Sequence, residues 1–125
     1  MATDTKTITE RWQSSWTSLD PDAITDLYTD NGIHMSNVVV ERMGIASGTL
    51  KSRAAIRLYV EESVKRLKSF RAEIIKVTSA ETEIGGSATI EYWRILNENM
   101  ERKSRVCEII DWEGDKITSC RVYHF

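Results

Sequence analysis

The chain has 125 residues, 41% of them apolar and 29% charged, which is the composition of one ordinary globular domain and neither a disordered nor a membrane-embedded segment. A formal net charge of -2 argues against nucleic acid as a partner, because phosphate contacts need a clustered basic surface. No run approaches the roughly 18–20 apolar residues of a membrane span, and the polar start MATDTKTITE does not read as a signal peptide, so a cytoplasmic location is expected.

Ile8, Trp12, Trp16 and Leu19 recur at helical spacing and predict an amphipathic first helix over 5–19. Asp20-Pro21-Asp22 stops it and starts a second, with Asp20 as N-cap, Pro21 at the first position and Ala23, Ile24, Leu27 and Tyr28 on the buried side. TDNG (29–32) is expected to end that helix in a turn, and IHMS (33–36) to form a short strand. NVVVERMGIASGTL then reads as a loop or irregular strand. Ser52 caps a third, longer helix over 53–70, striped by Ile56, Val60, Ser63, Leu67 and Phe70 with Tyr59 beside them; the polar Ser63 in that stripe suggests a cavity. EIIKVTSAETEI (73–84) is the next strand, and Gly85-Gly86 is expected to turn it into the strands beyond.

Residues 86–125 alternate with period two, are rich in Ile, Val, Thr, Tyr and Trp, and are broken at NENM (97–100) and EGD (113–115), as in an antiparallel meander. Pairing Asn97 with Met100 and Glu113 with Lys116 sets Glu91 opposite Val106, Glu108 opposite Arg121, Trp93 opposite Ser104 and Trp112 opposite Ile117. Glu91, Trp93, Glu108, Trp112, Arg121, Tyr123 and Phe125 then share one face, and Tyr92, Arg94, Cys107, Cys120 and His124 the other. His124 is therefore expected at an interface or the surface. The two cysteines lie diagonally on a common face, where a disulfide is geometrically possible but buried free thiols are expected in a reducing compartment, and two cysteines and two histidines with no close spacing give no structural zinc site. The order of elements gives an α+β domain spanning residues 1–125, a curved antiparallel sheet wrapped on three N-terminal helices. Such a sheet leaves a cone whose wide end admits a small molecule.

Four stretches carry a family resemblance: W-x-S-L-D-P-D-A-I-x-x-L-Y-x-D-N-G (16–32), G-x-L-K-S-R-A-A-I (48–56), I-E-Y-W (90–93) and G-D-K-I-x-x-x-R-V-Y (114–123). In order and spacing the chain resembles the nuclear transport factor 2-like, cystatin-like superfamily, and within it the SnoaL-like, ketosteroid-isomerase-like and limonene-epoxide-hydrolase-like small proteins. The resemblance implies a homodimer formed through the outer sheet face and a small apolar ligand inside the cone. It also implies that His34, Ser36 and Trp93 line the pocket, and that Phe125 stands where many enzymatic members carry a catalytic aspartate.

An inward-facing set of Glu91, Glu108 and Arg121 would be competent for acid–base chemistry without a metal or cofactor. Desolvation raises a carboxyl pKa while a guanidinium lowers it, so two acids at different distances from one Arg hold different protonation states. On this reading His34 or Glu91 is the base, Glu108 is the second acid or base, and Tyr28, Tyr59 and Tyr123 polarise a carbonyl or orient a water. Trp12, Trp16 and Trp93 form cavity wall. The expected activity is of isomerase, cyclase or epoxide-hydrolase type. The competing expectation is a non-catalytic module that binds a small hydrophobic ligand or assembles as a dimer, with Glu108 and Arg121 merely a cross-strand ion pair.

Overall fold

A computed structural model describes residues 2–125. The first helix, α1 (Thr5–Ser18), begins where the Asp4 carboxylate accepts the Thr7 N–H at 2.8 Å, and ends at Leu19 in the left-handed conformation. Its stripe buries Ile8 and Trp12. The second, α2 (Pro21–Thr25), has the Asp20 cap and leading proline read from the sequence but is only five residues long. Leu27 and Tyr28 lie beyond it, and Tyr28 opens the strand β1 (Tyr28–Ser36). TDNG is therefore part of a strand with an irregular register rather than a helix-ending turn.

The segment expected to be irregular contains a fourth helix, α3 (Asn37–Met43), followed by a short strand, β2 (Thr49–Lys51). Ser36 caps α3 by accepting the Val38 N–H, and Gly44 ends it at φ 68°. The next helix, α4 (Arg53–Lys65), starts on the Ser52 cap as expected but stops five residues early; Phe70 instead begins the strand β3 (Phe70–Glu81). Three strands complete the chain: β4 (Gly85–Leu96), β5 (Ser104–Glu113) and β6 (Lys116–His124).

Gly85 and Gly86 are not the turn. They pair with Glu113 and Trp112 in the sheet, and a Cβ on Gly85 would overlap the Trp112 carbonyl, so their contribution is close approach of two backbones. The strands form one curved, unclosed sheet in the order β2-β1-β6-β5-β4-β3. Its pairs are antiparallel except β1 with β6. The helices and the inner sheet face enclose the core, in which Trp12, Trp112, Tyr28, Ile56, Ile90, Ile110 and Ile117 are fully buried. Among the described residues no helix is long and apolar enough to cross a membrane.

The register differs from the expected one in two places, and each difference is one residue. The β4–β5 connection is not a four-residue turn. Asn97 and Glu98 both have positive φ, and a single 3-10 turn follows at Met100–Arg102, leaving seven residues between the strands. Arg94 consequently pairs with Ser104 and Glu91 with Cys107. In the second hairpin Trp112 does pair with Ile117 and Glu113 with Lys116, but a bulge beside Asp111 inserts Thr118, so Glu108 faces Val122. Because side chains alternate, each slip exchanges the two faces of a strand.

Candidate functional site

The interior face of the meander carries Tyr92 and Arg94 from β4, Val106, Glu108 and Ile110 from β5, and Cys120, Val122 and His124 from β6. Glu108 is thus inside, and 4% exposed, but Glu91 and Arg121 are not with it. Glu91 lies on the outer face, where its carboxylate accepts the Arg105 Nε–H at 3.0 Å. Arg121 pairs on the same outer face with Asp111 at 3.5 Å. The expected acid, Arg, acid group is therefore corrected to a single interior acid. His124 and Cys120, expected on the face away from Glu108, point inward, and the two free cysteines stand on opposite faces.

Three neutral donors hold the Glu108 carboxyl. Oε2 accepts the Trp12 indole N–H at 2.7 Å and the Cys120 thiol at 3.0 Å, and Oε1 accepts the Tyr92 hydroxyl at 2.8 Å. Among the described residues no ion pair reaches Glu108. Burial pushes its pKa above the usual carboxylate range, opposed by those three hydrogen bonds and by the Arg94 charge. With two donors on Oε2 and one on Oε1, the unoccupied lone pair, and hence the place for a proton, is on Oε1.

His34 on β1 is paired with Cys120 on β6, which brings it beside the Glu108 cluster. It is 4% exposed; its Nδ1 lies 3.0 Å from the Tyr28 hydroxyl, and its ring is 5.2 Å from that of Tyr59. Burial pushes the imidazole pKa down to about 4 and the Tyr28 hydroxyl well above its ordinary range, so both are neutral near pH 7. A neutral imidazole has one donor and one acceptor nitrogen, which suits it to pass a proton or to polarise a carbonyl.

Ser36 is buried, and its hydroxyl is committed to capping α3. The Ser63 hydroxyl is engaged on both sides, donating to the Tyr59 carbonyl at 2.8 Å and accepting from Arg42 at 2.7 Å. Trp12 is in the cluster itself, whereas half-buried Trp16 packs on Phe70 with ring centres 5.5 Å apart. Trp93 is on the outer face beneath the Lys103 ammonium, 4.4 Å from its ring centre. Tyr123 is on the outer face of β6 yet borders the 350 Å³ cavity beside α3, and Phe125 is 84% exposed beyond the last strand. Sequence reasoning missed Tyr92, Cys120 and Arg94. The signal for Tyr92 and Arg94 was the odd-numbered connection at 97–103, which reverses the parity of β4 against β5, whereas Cys120 turns inward through the Thr118 bulge in β6.

Among the described residues, cavities of 350–670 Å³ that open at the surface include five whose walls contain neither Glu108 nor His34. One of 350 Å³ lies between α3 and the ends of β1 and β6, bounded by Met35, Ser36, Val40, Val122, Tyr123 and His124 among others. No group of three or more His, Cys, Asp or Glu among the described residues could hold a metal ion.

No protein-family model and no curated protein matches this sequence. Solved structures do. A SnoaL-like protein of unknown function from Burkholderia thailandensis superposes with a TM-score of 0.77 at 20% identity, over 96% of this chain and 92% of that one. A hypothetical protein with a ketosteroid-isomerase-like fold from Catenulispora acidiphila, solved in complex with trimethylamine, gives 0.69 at 16% identity over 96% and 86% of the two chains. A putative polyketide cyclase from Sinorhizobium meliloti gives 0.68 at 11% identity over 94% of each. With a curved six-stranded sheet folded over its helices in the same way, this chain has the nuclear transport factor 2-like fold of the SnoaL-like and ketosteroid-isomerase-like proteins.

Proposed function

We propose that this protein performs cofactor-independent proton transfer on a small, largely apolar carbonyl compound, in the manner of an isomerase or cyclase. The observation that carries this reading is a carboxyl group buried in the cone, held by three neutral donors and no cation. A pKa raised by burial makes Glu108 a stronger base once ionised than a carboxylate at the surface, and an acid that keeps its proton closer to neutral pH. Glu108 removes a proton from the carbon next to a carbonyl, taking it on Oε1, and returns it to another position of the same molecule. The neutral His34 and Tyr28 pair stabilises the enolate oxygen by hydrogen bonding. Glu91 and Arg121 have no part in this scheme, since both are on the other side of the sheet. The solved structures described as a putative polyketide cyclase and as ketosteroid-isomerase-like agree with chemistry of this class.

The test is solvent deuterium exchange at the α-carbon of a panel of small unsaturated ketones and 1,3-dicarbonyl compounds, followed by proton NMR. The wild-type protein accelerates exchange in at least one of them, and Glu108→Gln lowers that rate by about 100-fold, within the usual range for loss of a general base. Undiminished exchange in Glu108→Gln removes the residue from the chemistry.

A second reading, a non-catalytic binding module, is favoured by the closure of the interior: Glu108 and His34 are each 4% exposed. Ligand binding without exchange in any compound would establish it. Under either reading the outer sheet face, with Trp93, Cys107 and the 44% exposed Tyr123, is the surface through which two copies pair, to be checked by sedimentation equilibrium.

A further inference from the structure

Two buried nitrogen atoms near the wide end of the cone have no hydrogen-bond partner: Nε of Arg94 and Nε2 of His124. Leaving such groups unmet in a folded interior costs about 1–3 kcal/mol each, more for a charged one, and so asks for a reason. The register brings them together. His124 is paired with Val106, Val106 with Tyr92, and Arg94 is two residues beyond Tyr92 on the same inner face. The long Arg94 side chain thus starts two strands from His124, with Val106 between them. Its charge acts on His124, Tyr59, Tyr92 and Glu108. Among the described residues no ion pair reaches Arg94. Glu41 on α3 acts on His124 without satisfying its Nε2.

His124 also lines the 350 Å³ cavity between α3 and the ends of β1 and β6, whose other walls include Val40 and Val122. That volume is at the lower end of those that hold small ligands. Val122 is directly opposite Glu108 and His124 is two residues further out, about 7 Å along the strand. A molecule held in that cavity at His124 thus lies against Val122, the residue paired with the carboxyl assigned above to proton transfer.

We propose that the mouth of the cone is an anion subsite that binds the carboxylate of an otherwise apolar small acid, with Arg94 and His124 donating to its oxygens. This rests on the small-molecule reading of the cone and narrows its substrate class to carboxylic acids. A guanidinium fork matches the geometry of a carboxylate and discriminates against a neutral isostere, because the fork is left uncompensated when no anion arrives.

The experiment titrates the full chain, with ¹⁵N-labelled arginine and histidine side chains, against phenylalkanoates from phenylacetate to 5-phenylpentanoate and against their primary amides. At least one acid is expected to bind about 10-fold or more tightly than its amide, a difference of about 1.4 kcal/mol, and to shift the Arg94 Nε–H and His124 Nε2 resonances. Arg94→Met should reduce that ratio to below about 2-fold. If Arg94→Met does not fold, the wild-type ratio and the Arg94 Nε–H shift decide by themselves. Acid and amide binding equally well would overturn the anion subsite yet leave the cone as a small-molecule site, and acid-selective binding without a shift at Arg94 would overturn the residue assignment. Binding of neither series would overturn both this proposal and the function on which it rests.

Discussion

Lowering the pH from 7 to 5 should destabilise Glu108→Gln by about 2 kcal/mol more than it destabilises the Glu108→Gln/His34→Gln double variant. The imidazole pKa is about 4 in the folded chain, against 6.5 when free of the fold, and burial is the cause. The unfolded chain therefore binds a proton at His34 that the native chain refuses. The stability associated with neutral His34 is fully present above about pH 6.5, is lost as the pH falls toward 4, and totals about 3 kcal/mol, of which about 2 kcal/mol has gone by pH 5. Glu108 has the opposite slope. Its folded pKa is raised, so its contribution is present below about pH 4.5 and is lost as the pH rises toward the folded value. The two windows overlap and partly cancel in the wild type, which is why the comparison is made in the Glu108→Gln background. Burial alone accounts for the His34 shift, so removing the Glu108 charge leaves it in place. Groups such as His124 and Asp4 titrate in both variants and drop out of the difference. Urea unfolding followed by tryptophan fluorescence and circular dichroism gives the free energies. Equal losses in the two variants, or an NMR titration of the wild-type His34 ring centred near 6.5, would refute the argument.

Other expectations come from the register and the backbone. Glu91→Gln, in a half-exposed outer-face pair with Arg105, should change stability by no more than about 1 kcal/mol and leave α-carbon exchange untouched; a large loss of exchange would return Glu91 to the interior. Gly85→Ala should prevent the native β4–β5 pairing, because its methyl would overlap the Trp112 carbonyl, whereas Gly44→Ala, with positive φ but open space around it, should cost about 1 kcal/mol. Thermal melts of the two variants side by side distinguish steric exclusion from conformational preference.

The starts of α2 and α4 were legible because they are local chemistry, while that of α3 was not. Asp20-Pro21 and Ser52 cap their helices as expected, since a cap needs only its own side chain and the next few amides. The period-two character of residues 86–125 likewise identified a meander, and the order of elements led to the α+β cone. Helix ends were less legible. The apolar stripe of α4 continues through Leu67 and Phe70, but Phe70 is drawn into β3, where it pairs with Leu96.

The interior site was half legible. His34 and Glu108 face inward, and the sequence alone singled out both. Their true neighbours Tyr92, Cys120 and Arg94 depended on two insertions, the seven-residue connection after β4 and the extra Thr118 in β6. A one-residue slip is almost silent in sequence, since both parities of these strands carry apolar and polar residues, yet it sends every side chain of a strand to the other face. The amino-acid order determined by itself the first two helices and the long one with the caps of the latter two, the meander, and the presence of acids on its strands. Which acid is dry, and what holds it, was decided by packing Trp12 from the first helix against the fifth strand, a contact between residues far apart in sequence.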